Sequence, residues 1–179
     1  MGGGAGSDAV GSSWDLRVLM NDRATVSGGR ATFEETRTLR VMRAPMEISG
    51  ELIYQAPDYL RKTVFQPMFE EMEVVGKRLY LADDESKRRF HIDQHPILAA
   101  LVAAIRGTLS GDLSAIEDHF EHSFSGTQAS WRLDLTPHSF DVAEHLEKVA
   151  IEGEGRQLLK VETRYASGDV SLMRMQTVE

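Results

Sequence analysis

The chain has 179 residues, of which 41% are hydrophobic and 27% charged, and this size and composition are typical of one folded domain rather than of a disordered protein. Its 20 lysines and arginines against 28 aspartates and glutamates give a net charge of −8, which argues against a nucleic-acid-binding protein, since such proteins carry a basic face. The absence of cysteine excludes disulfides, thiolate metal sites and a cysteine nucleophile.

The chain starts with MGGGAGSDAVGSS, a segment rich in glycine and serine. It lacks the basic start and the apolar run that a secretory signal peptide requires. We therefore expect residues 1–13 to be a disordered tail or an expression scar, with an original signal peptide already removed. Residues 14–179 are predicted to form a single domain.

A short amphipathic helix is predicted directly after this segment. Leu16, Leu19 and Met20 have the i, i+3, i+4 spacing of an apolar helix face. Ser12 or Ser13 is expected to cap its N-terminus.

About eleven short segments show the two-residue alternation of half-buried strands. In one of them Trp131, Leu133 and Leu135 alternate with polar residues. Turn-forming residues separate the segments, and many short strands at this spacing predict a barrel or a strongly curved antiparallel sheet. The predicted strands span residues 30–39, 48–55, 59–65, 71–75, 78–81, 87–92, 121–124, 130–135, 145–152, 157–165 and 170–177.

One helical insertion interrupts the strands over residues 96–107, with Asp93 expected as its cap and Pro96 in its first turn. It contains the longest apolar run of the chain, residues 97–105, which rises only about 14 Å and is too short to cross a membrane. The helix is apolar on every side, whereas a helix on the outside of a sheet keeps a polar face. Either it fills the barrel as ordinary core, or it covers a cavity. A second, short helix is predicted over residues 112–120.

Motifs that carry catalysis or bind cofactors are missing from the chain. It has no nucleophile elbow, no P-loop, no H-E-x-x-H and no dinucleotide-binding fingerprint. His119 and His122 form an H-x-x-H without a nearby third ligand. We therefore expect no catalytic residue, no metal and no cofactor.

The order of these features resembles the LolA-like family of periplasmic carriers for outer-membrane lipoproteins. The first predicted strands, ATFEETRTLRVMRAPMEISGELIYQAPDYLRKTV, are similar to the family's F-x-E, S-G-x-L and x-P-x-x-(L/F) succession. GKRLYL resembles its G-x-x-L-(W/Y) hairpin, and DQHPILAALVAAIRGTLSGDLSAIEDHFEHSF lies where the family has its lid helix. WRLDLTP resembles the W-x-L-x-P strand, and SGDVSLMRM the last hairpin.

The resemblance implies a mainly β (α+β) fold, an incomplete antiparallel β-barrel of about 11 strands with an N-terminal helix and a helical lid. It implies a periplasmic carrier, not an enzyme, whose cavity shelters the acyl chains of a lipoprotein or another lipid-like molecule. Its partners would be an inner-membrane donor and an outer-membrane acceptor. At the position of the family's lid-latching arginine this chain has Ala56, and at its nearby aromatic position Leu60, so the chain is expected to be a divergent member.

We expect eight apolar side chains to form the binding site. The predicted ligand-binding residues of the cavity are Leu52, Tyr54, Leu60, Trp131 and Leu133. The predicted residues of the lid helix are Leu98, Leu101 and Ile105. In the empty protein these side chains would contact one another, and in the loaded protein they would contact an acyl chain instead. Such binding needs no covalent step.

Three other functions fit the same predicted barrel. A LolB-like acceptor at the outer membrane would need a lipidated N-terminal cysteine. An enzyme acting on a hydrophobic substrate would need polar groups that converge in the cavity. A sensor or interaction domain would bind lipoproteins as a signal.

Overall fold

The segments with two-residue alternation all form strands in the computed structural model, which describes residues 14–178. Strong alternation places apolar side chains on one face of each strand and polar ones on the other, so the strands share one buried face. The strands are β1 (Gly28–Thr38), β2 (Met46–Gln55), β3 (Tyr59–Gln66), β4 (Glu70–Val75), β5 (Arg78–Asp83), β6 (Lys87–His91), β7 (Phe120–Thr127), β8 (Ser130–Pro137), β9 (Leu146–Glu154), β10 (Gln157–Tyr165) and β11 (Val170–Val178).

These strands form one antiparallel sheet in the order β6-β5-β4-β3-β2-β1-β11-β10-β9-β8-β7. The central pair joins the two ends of the chain, since β1 pairs with β11 from Arg30 opposite Val178 to Thr38 opposite Val170. Strands β6 and β7 are the two edges and do not pair with each other, so the sheet curves without closing. The predicted fold class, an incomplete antiparallel barrel of about 11 strands, is confirmed.

Within residues 14–178, four α-helices accompany the sheet, and the longest lies against its concave face. They are α1 (Leu16–Ala24), α2 (Pro96–Ser110), α3 (Leu113–Glu117) and α4 (Phe140–Ala143). The main core contains side chains from both halves of the sheet together with Ala100 and Ala104 of α2. A second, smaller core packs α2 against β4 and β5 through Val102, Val74 and Leu79. Helix α2 is therefore the element around which the sheet curves.

The helix ends differ in part from the predictions. Asp15 caps α1 by accepting a hydrogen bond from the Val18 backbone N–H at 3.0 Å, while the predicted caps Ser12 and Ser13, like the whole predicted tail 1–13, lie outside the described residues. The predicted cap of α2 is wrong, because Asp93 belongs to a preceding 3₁₀ turn (Ile92–Gln94) and His95 occupies the cap position. The C-terminus of α2 is capped by Gly111 in the left-handed conformation, with φ of 68°.

Over residues 14–178, none of the helices has the length and apolar composition needed to cross a membrane.

Candidate ligand-binding cavity

A cavity of about 930 Å³ lies between one face of α2 and the concave face of the sheet. This volume falls within the range of small-molecule binding pockets, about 300–1,000 Å³. Its lining residues Glu144, His145, Ala166 and Ser167 are exposed to solvent, and we call this end of the cavity its mouth. The apolar side chains that the sheet contributes to its walls are Leu60, Val64, Met72, Leu81, Val161 and Met173.

Helix α2 contributes a single stripe of side chains to this cavity. The stripe consists of residues spaced i, i+3, i+4 and i+7, namely Leu98, Leu101, Val102 and Ile105. Because this spacing places side chains on one helix face, the four form a continuous apolar surface. Leu98, Leu101 and Ile105 are only half buried, since they face the cavity instead of filling it.

The other faces of α2 carry small side chains that pack closely against the rest of the protein. Ala100 and Ala104 are fully buried in the main core, Ala99 belongs to the second core, and Ala103 is also buried. This division explains why the helix is apolar on every side. Of the two alternatives drawn from the sequence, the alanines serve as ordinary core and the larger residues cover a cavity.

Four of the eight predicted site residues come together on the cavity. Leu98, Leu101 and Ile105 form most of the α2 stripe. Leu60 lies opposite them on β3 and is fully buried as part of the wall. Their role in binding a ligand stays a prediction, but their common location is the one that such a role requires.

The remaining four predicted ligand-binding residues lie in the main core and do not line this cavity. They are Leu52, Tyr54, Trp131 and Leu133, none more than 4% exposed. The Trp131 indole N–H donates to the Gly155 carbonyl at 2.8 Å, and its ring stacks on Phe124 at 5.9 Å between centroids. Alternation identified their inward direction correctly, but helices α1 and α2 already fill this part of the concave face.

One wall of the cavity carries a cluster of charged side chains. Glu35 of β1 is 2% exposed, and its carboxylate forms ion pairs with Lys62 of β3, at 2.7 Å, and with Arg37. Burial raises the pKa of Glu35, but the two ion pairs outweigh this effect and hold the pKa below its ordinary value. We call Glu35, Arg37 and Lys62 the charged cluster. Its carboxylate is ionised at neutral pH and paired with two cations.

Tyr165 lies on the same wall of the cavity as the charged cluster. Burial raises the pKa of its hydroxyl, and the negative charge of Glu35 raises it further. The positive charge of Arg37 lowers the pKa, but the net effect is a raised pKa. The phenol is therefore a neutral hydrogen-bonding group at physiological pH. Neither Tyr165 nor the charged cluster was among the predicted site residues.

Helix α2 is fixed to the turns of the sheet by an arginine of its own. Arg106 donates two hydrogen bonds of 2.8 Å, one to the Asp58 carbonyl after β2 and one to the Gly76 carbonyl after β4. The sequence places Ala56, rather than the latching arginine of the family, just before this first turn. In this chain the arginine that joins helix and turns is Arg106 of α2, and the acceptors are backbone carbonyls of the two turns.

The end of the sheet next to the cavity mouth carries exposed apolar side chains. Of the nine large hydrophobic side chains exposed within residues 14–178, six lie at this end. They occupy the β1–β2 loop, the end of β3, the β3–β4 connection and α4. We call them the apolar rim: Val41, Met42, Phe65, Met68, Phe69 and Phe140. Clustered exposed apolar side chains are typical of surfaces that contact a protein or a membrane.

Comparisons with solved structures give remote matches along nearly the whole chain. A LolA superfamily protein from Nitrosomonas europaea is 11% identical, with 92% of each chain covered and a TM-score of 0.48. A DUF1329 family protein from Desulfovibrio piger is 9% identical, with 90% of this chain and 88% of that chain covered and a TM-score of 0.47. The lipoprotein LppX from Mycobacterium tuberculosis is 7% identical, with coverages of 90% and 93% and a TM-score of 0.45. No curated protein sequence matches significantly.

The sequence profile of a protein family gives a match that extends over almost the entire chain. The profile is described as outer membrane lipoprotein carrier protein, LolA-like, and it matches residues 5–176. The resemblance drawn from the sequence motifs is therefore confirmed. The chain belongs to the LolA-like family of outer membrane lipoprotein carrier proteins.

Proposed function

We propose that this protein is a periplasmic carrier that holds the acyl chains of a lipoprotein or another lipid-like molecule in the cavity beneath α2. It passes the molecule towards the outer membrane. The observation that supports this proposal best is the apolar stripe of Leu98, Leu101 and Ile105, half buried against an unfilled cavity. Large apolar side chains in an ordinary core pack to high density and leave no such space.

The energetics of acyl chains make a covered cavity suitable for transport. Exposing a chain of about sixteen carbons to water costs roughly 12 kcal/mol, at about 0.8 kcal/mol per CH₂ group. A carrier must offset most of this cost and still release its load. If α2 moves aside when the ligand binds, the loss of contacts between α2 and the sheet reduces the net affinity for the ligand. When the ligand leaves, these contacts form again, and their formation favours release.

The apolar rim supports a transfer route that avoids water. Its six side chains surround the end at which the cavity opens. Contact of this rim with an inner-membrane donor, and later with an outer-membrane acceptor, would let an acyl chain move between apolar surfaces. A LolB-like acceptor would use the same rim and would hold it at the outer membrane through a lipidated N-terminal cysteine.

An enzyme in the same cavity is the second candidate, because polar groups do converge there. The charged cluster and Tyr165 are the relevant side chains. A general acid or base works best with a pKa near the operating pH. The pKa of Glu35 is lowered and that of Tyr165 raised, so both move away from neutrality. Carriage accounts for the cavity better than catalysis does.

Leu101→Asp tests the binding role of the α2 stripe. A bound apolar chain would bury the new carboxylate without a partner, which is strongly unfavourable. We therefore expect affinity for a fluorescent sixteen-carbon acyl probe to fall at least about tenfold, a loss of about 1.4 kcal/mol. The matched control is Leu172→Asp, which changes a half-buried leucine of β11 that does not line the cavity. Circular dichroism verifies that both variants fold. Equal probe affinity in wild type and folded Leu101→Asp would contradict the proposal.

A further inference from the structure

We infer that the charged cluster is a binding site for an oxyanion headgroup, a phosphate or a carboxylate, that lies at the polar end of an acylated ligand. The inference rests on the proposed carrier function and specifies the class of ligand. It assigns two parts of one molecule to two parts of one cavity. The acyl chain contacts the α2 stripe and the apolar walls, and the headgroup contacts Arg37 and Lys62.

The charged cluster lies among the apolar walls of the cavity. Glu35, Arg37 and Lys62 all line the cavity, and their neighbours on its walls include Leu60, Val64 and Met173. Burying charged groups costs free energy, and a buried ion pair is often no more stabilising than apolar side chains of similar volume. Stability alone therefore gives little reason for three charges on this wall. An amphipathic ligand requires a polar end in an otherwise apolar cavity.

The two cations of the cluster are more exposed than its carboxylate. The Glu35 side chain is 3% exposed, whereas those of Lys62 and Arg37 are 19% and 32% exposed. The carboxylate therefore lies behind the two cations, which are more accessible from the cavity. Two cations and one carboxylate leave the cluster with one net positive charge. An oxyanion that enters the cavity meets the cations first.

Arg37 and Lys62 both have hydrogen-bond donors that Glu35 does not use. Arg37 uses its Nε to bind Glu35, and within residues 14–178 its terminal guanidinium nitrogens have no hydrogen-bond partner. Lys62 donates to Glu35 at 2.7 Å and lies 5.1 Å from the centroid of the Phe33 ring, which leaves further ammonium donors available. A guanidinium fork matches the geometry of phosphate and carboxylate oxygens.

Neighbouring hydroxyl groups add donors around the same position. Ser171 pairs directly with Arg37 across β1 and β11, and Tyr165 is close enough for the charges of Arg37 and Glu35 to act on it. Both residues line the cavity.

Four other acidic residues also line the cavity: Glu70, Glu71, Glu144 and Asp169. Glu70 and Glu144 are exposed, so water and salt screen their charges. Glu71 and Asp169 are half buried, and Asp169 accepts a hydrogen bond from the Arg40 backbone N–H. Within residues 14–178, Arg37 and Lys62 are the only lysine or arginine side chains that line the cavity, so an oxyanion would find its cationic partners at the charged cluster.

The test compares three probes that share a sixteen-carbon chain: 1-palmitoylglycerol 3-phosphate, palmitate and uncharged 1-palmitoylglycerol. Calorimetry on the intact chain should give an affinity about tenfold higher for the two anionic probes. Arg37→Met and Lys62→Met should each remove most of this preference, because they lower the affinity for the two anionic probes far more than the affinity for 1-palmitoylglycerol. Arg164→Met is the matched control on the convex face and should keep the preference, since Arg164 pairs with Glu162 outside the cavity.

Glu35→Gln separates a binding role from a purely structural one. Removal of the carboxylate frees both cations, so affinity for the phosphate probe should rise severalfold even though the variant is less stable. A purely structural cluster predicts instead that all three variants lose charged and uncharged probes equally, and that result would overturn the inference.

Two further outcomes also count against this site. Equal binding of charged and uncharged probes by the wild type would overturn the headgroup site and leave the carrier proposal standing. Inorganic phosphate that binds as tightly as the phosphate probe would indicate a site for the free anion instead. If none of the acyl probes binds, the proposed function itself fails, and the headgroup site fails with it.

Discussion

Glu35 places a full negative charge on a wall that also contains Leu60 and Met173. It remains ionised there because Lys62 and Arg37 bind both of its oxygens. The ion pairs hold the two cations at fixed positions on β1 and β3, on either side of the intervening strand β2. At the scale of single residues, this carboxylate occupies one donor of each cation and leaves their other donors for the ligand that we propose.

The lowered pKa of Glu35 makes stability depend on pH in a specific direction. A carboxyl with a lower pKa in the folded state contributes stability above the pKa of the unfolded chain, and this contribution is lost as the pH falls through the folded-state pKa. Below about pH 4.3, the ordinary pKa of a glutamate, the free energy of unfolding should therefore fall more steeply in wild type than in Glu35→Gln. At neutral pH the variant should be less stable by about 1–3 kcal/mol.

Urea unfolding between pH 3 and pH 7 measures this difference. Glu34→Gln is the control, since Glu34 is the exposed neighbour on the opposite face of β1. If Glu35→Gln and wild type lose stability in parallel over the acidic range, the ion pairs of Glu35 do not contribute as described.

The charged cluster left a signal in the sequence, because Glu35 follows Phe33 by two residues and Lys62 follows Leu60 by two. Each charge therefore shares a strand face with a buried apolar side chain. This periodicity indicates that both point inward. It does not indicate that they meet, since their pairing depends on the placement of β1 and β3 on either side of β2.

Helix α2 combines a cavity-lining stripe with faces that pack in the core, and Arg106 fixes it near its C-terminal end. The two carbonyl acceptors belong to different turns, so this one side chain holds the helix to β2–β3 and to β4–β5. Arg23 of α1 adds a contact of 2.8 Å to the Leu109 carbonyl in the last turn of α2. The N-terminal half of α2, next to the smaller core, has no comparable arginine contact within residues 14–178.

Arg106→Met should loosen the C-terminal half of α2, because two backbone carbonyls lose their donors. We expect a loss of stability of about 1–3 kcal/mol and faster amide hydrogen exchange in residues 96–110. Arg78→Met is the control, as Arg78 is an exposed arginine that directly follows the same β4–β5 turn. Unchanged exchange in α2 of the folded Arg106→Met variant would show that this arginine does not hold the helix.

The elements themselves were largely predictable, since alternation located eleven strands and the apolar run located α2. Boundaries were less predictable. The predicted short helix over residues 112–120 is limited to Leu113–Glu117, and β7 extends to Thr127 instead of residue 124. Pairing with β8 extends β7, because Thr127 lies opposite Ser130 across the turn. Local sequence contains little information about such tertiary pairing.

At the scale of the whole molecule, a curved open sheet, a central helix and a partly filled interior produce one covered cavity. Alternation predicted the inward direction of Leu52, Tyr54, Trp131 and Leu133, but it did not predict which part of the interior is filled and which part is cavity. Leu52 and Leu60 lie on adjacent strands with the same alternation, yet Leu60 lines the cavity and Leu52 does not. The positions of α1 and α2 decide this difference.

Native mass spectrometry of the intact protein after incubation with a bacterial membrane extract tests the central claim, that the cavity beneath α2 carries acylated molecules. We predict a bound species whose fragmentation releases fatty acyl chains, and we predict that Leu101→Asp reduces this species strongly while Leu172→Asp retains it. A folded wild-type protein that takes up no acylated molecule from the extract would contradict the account.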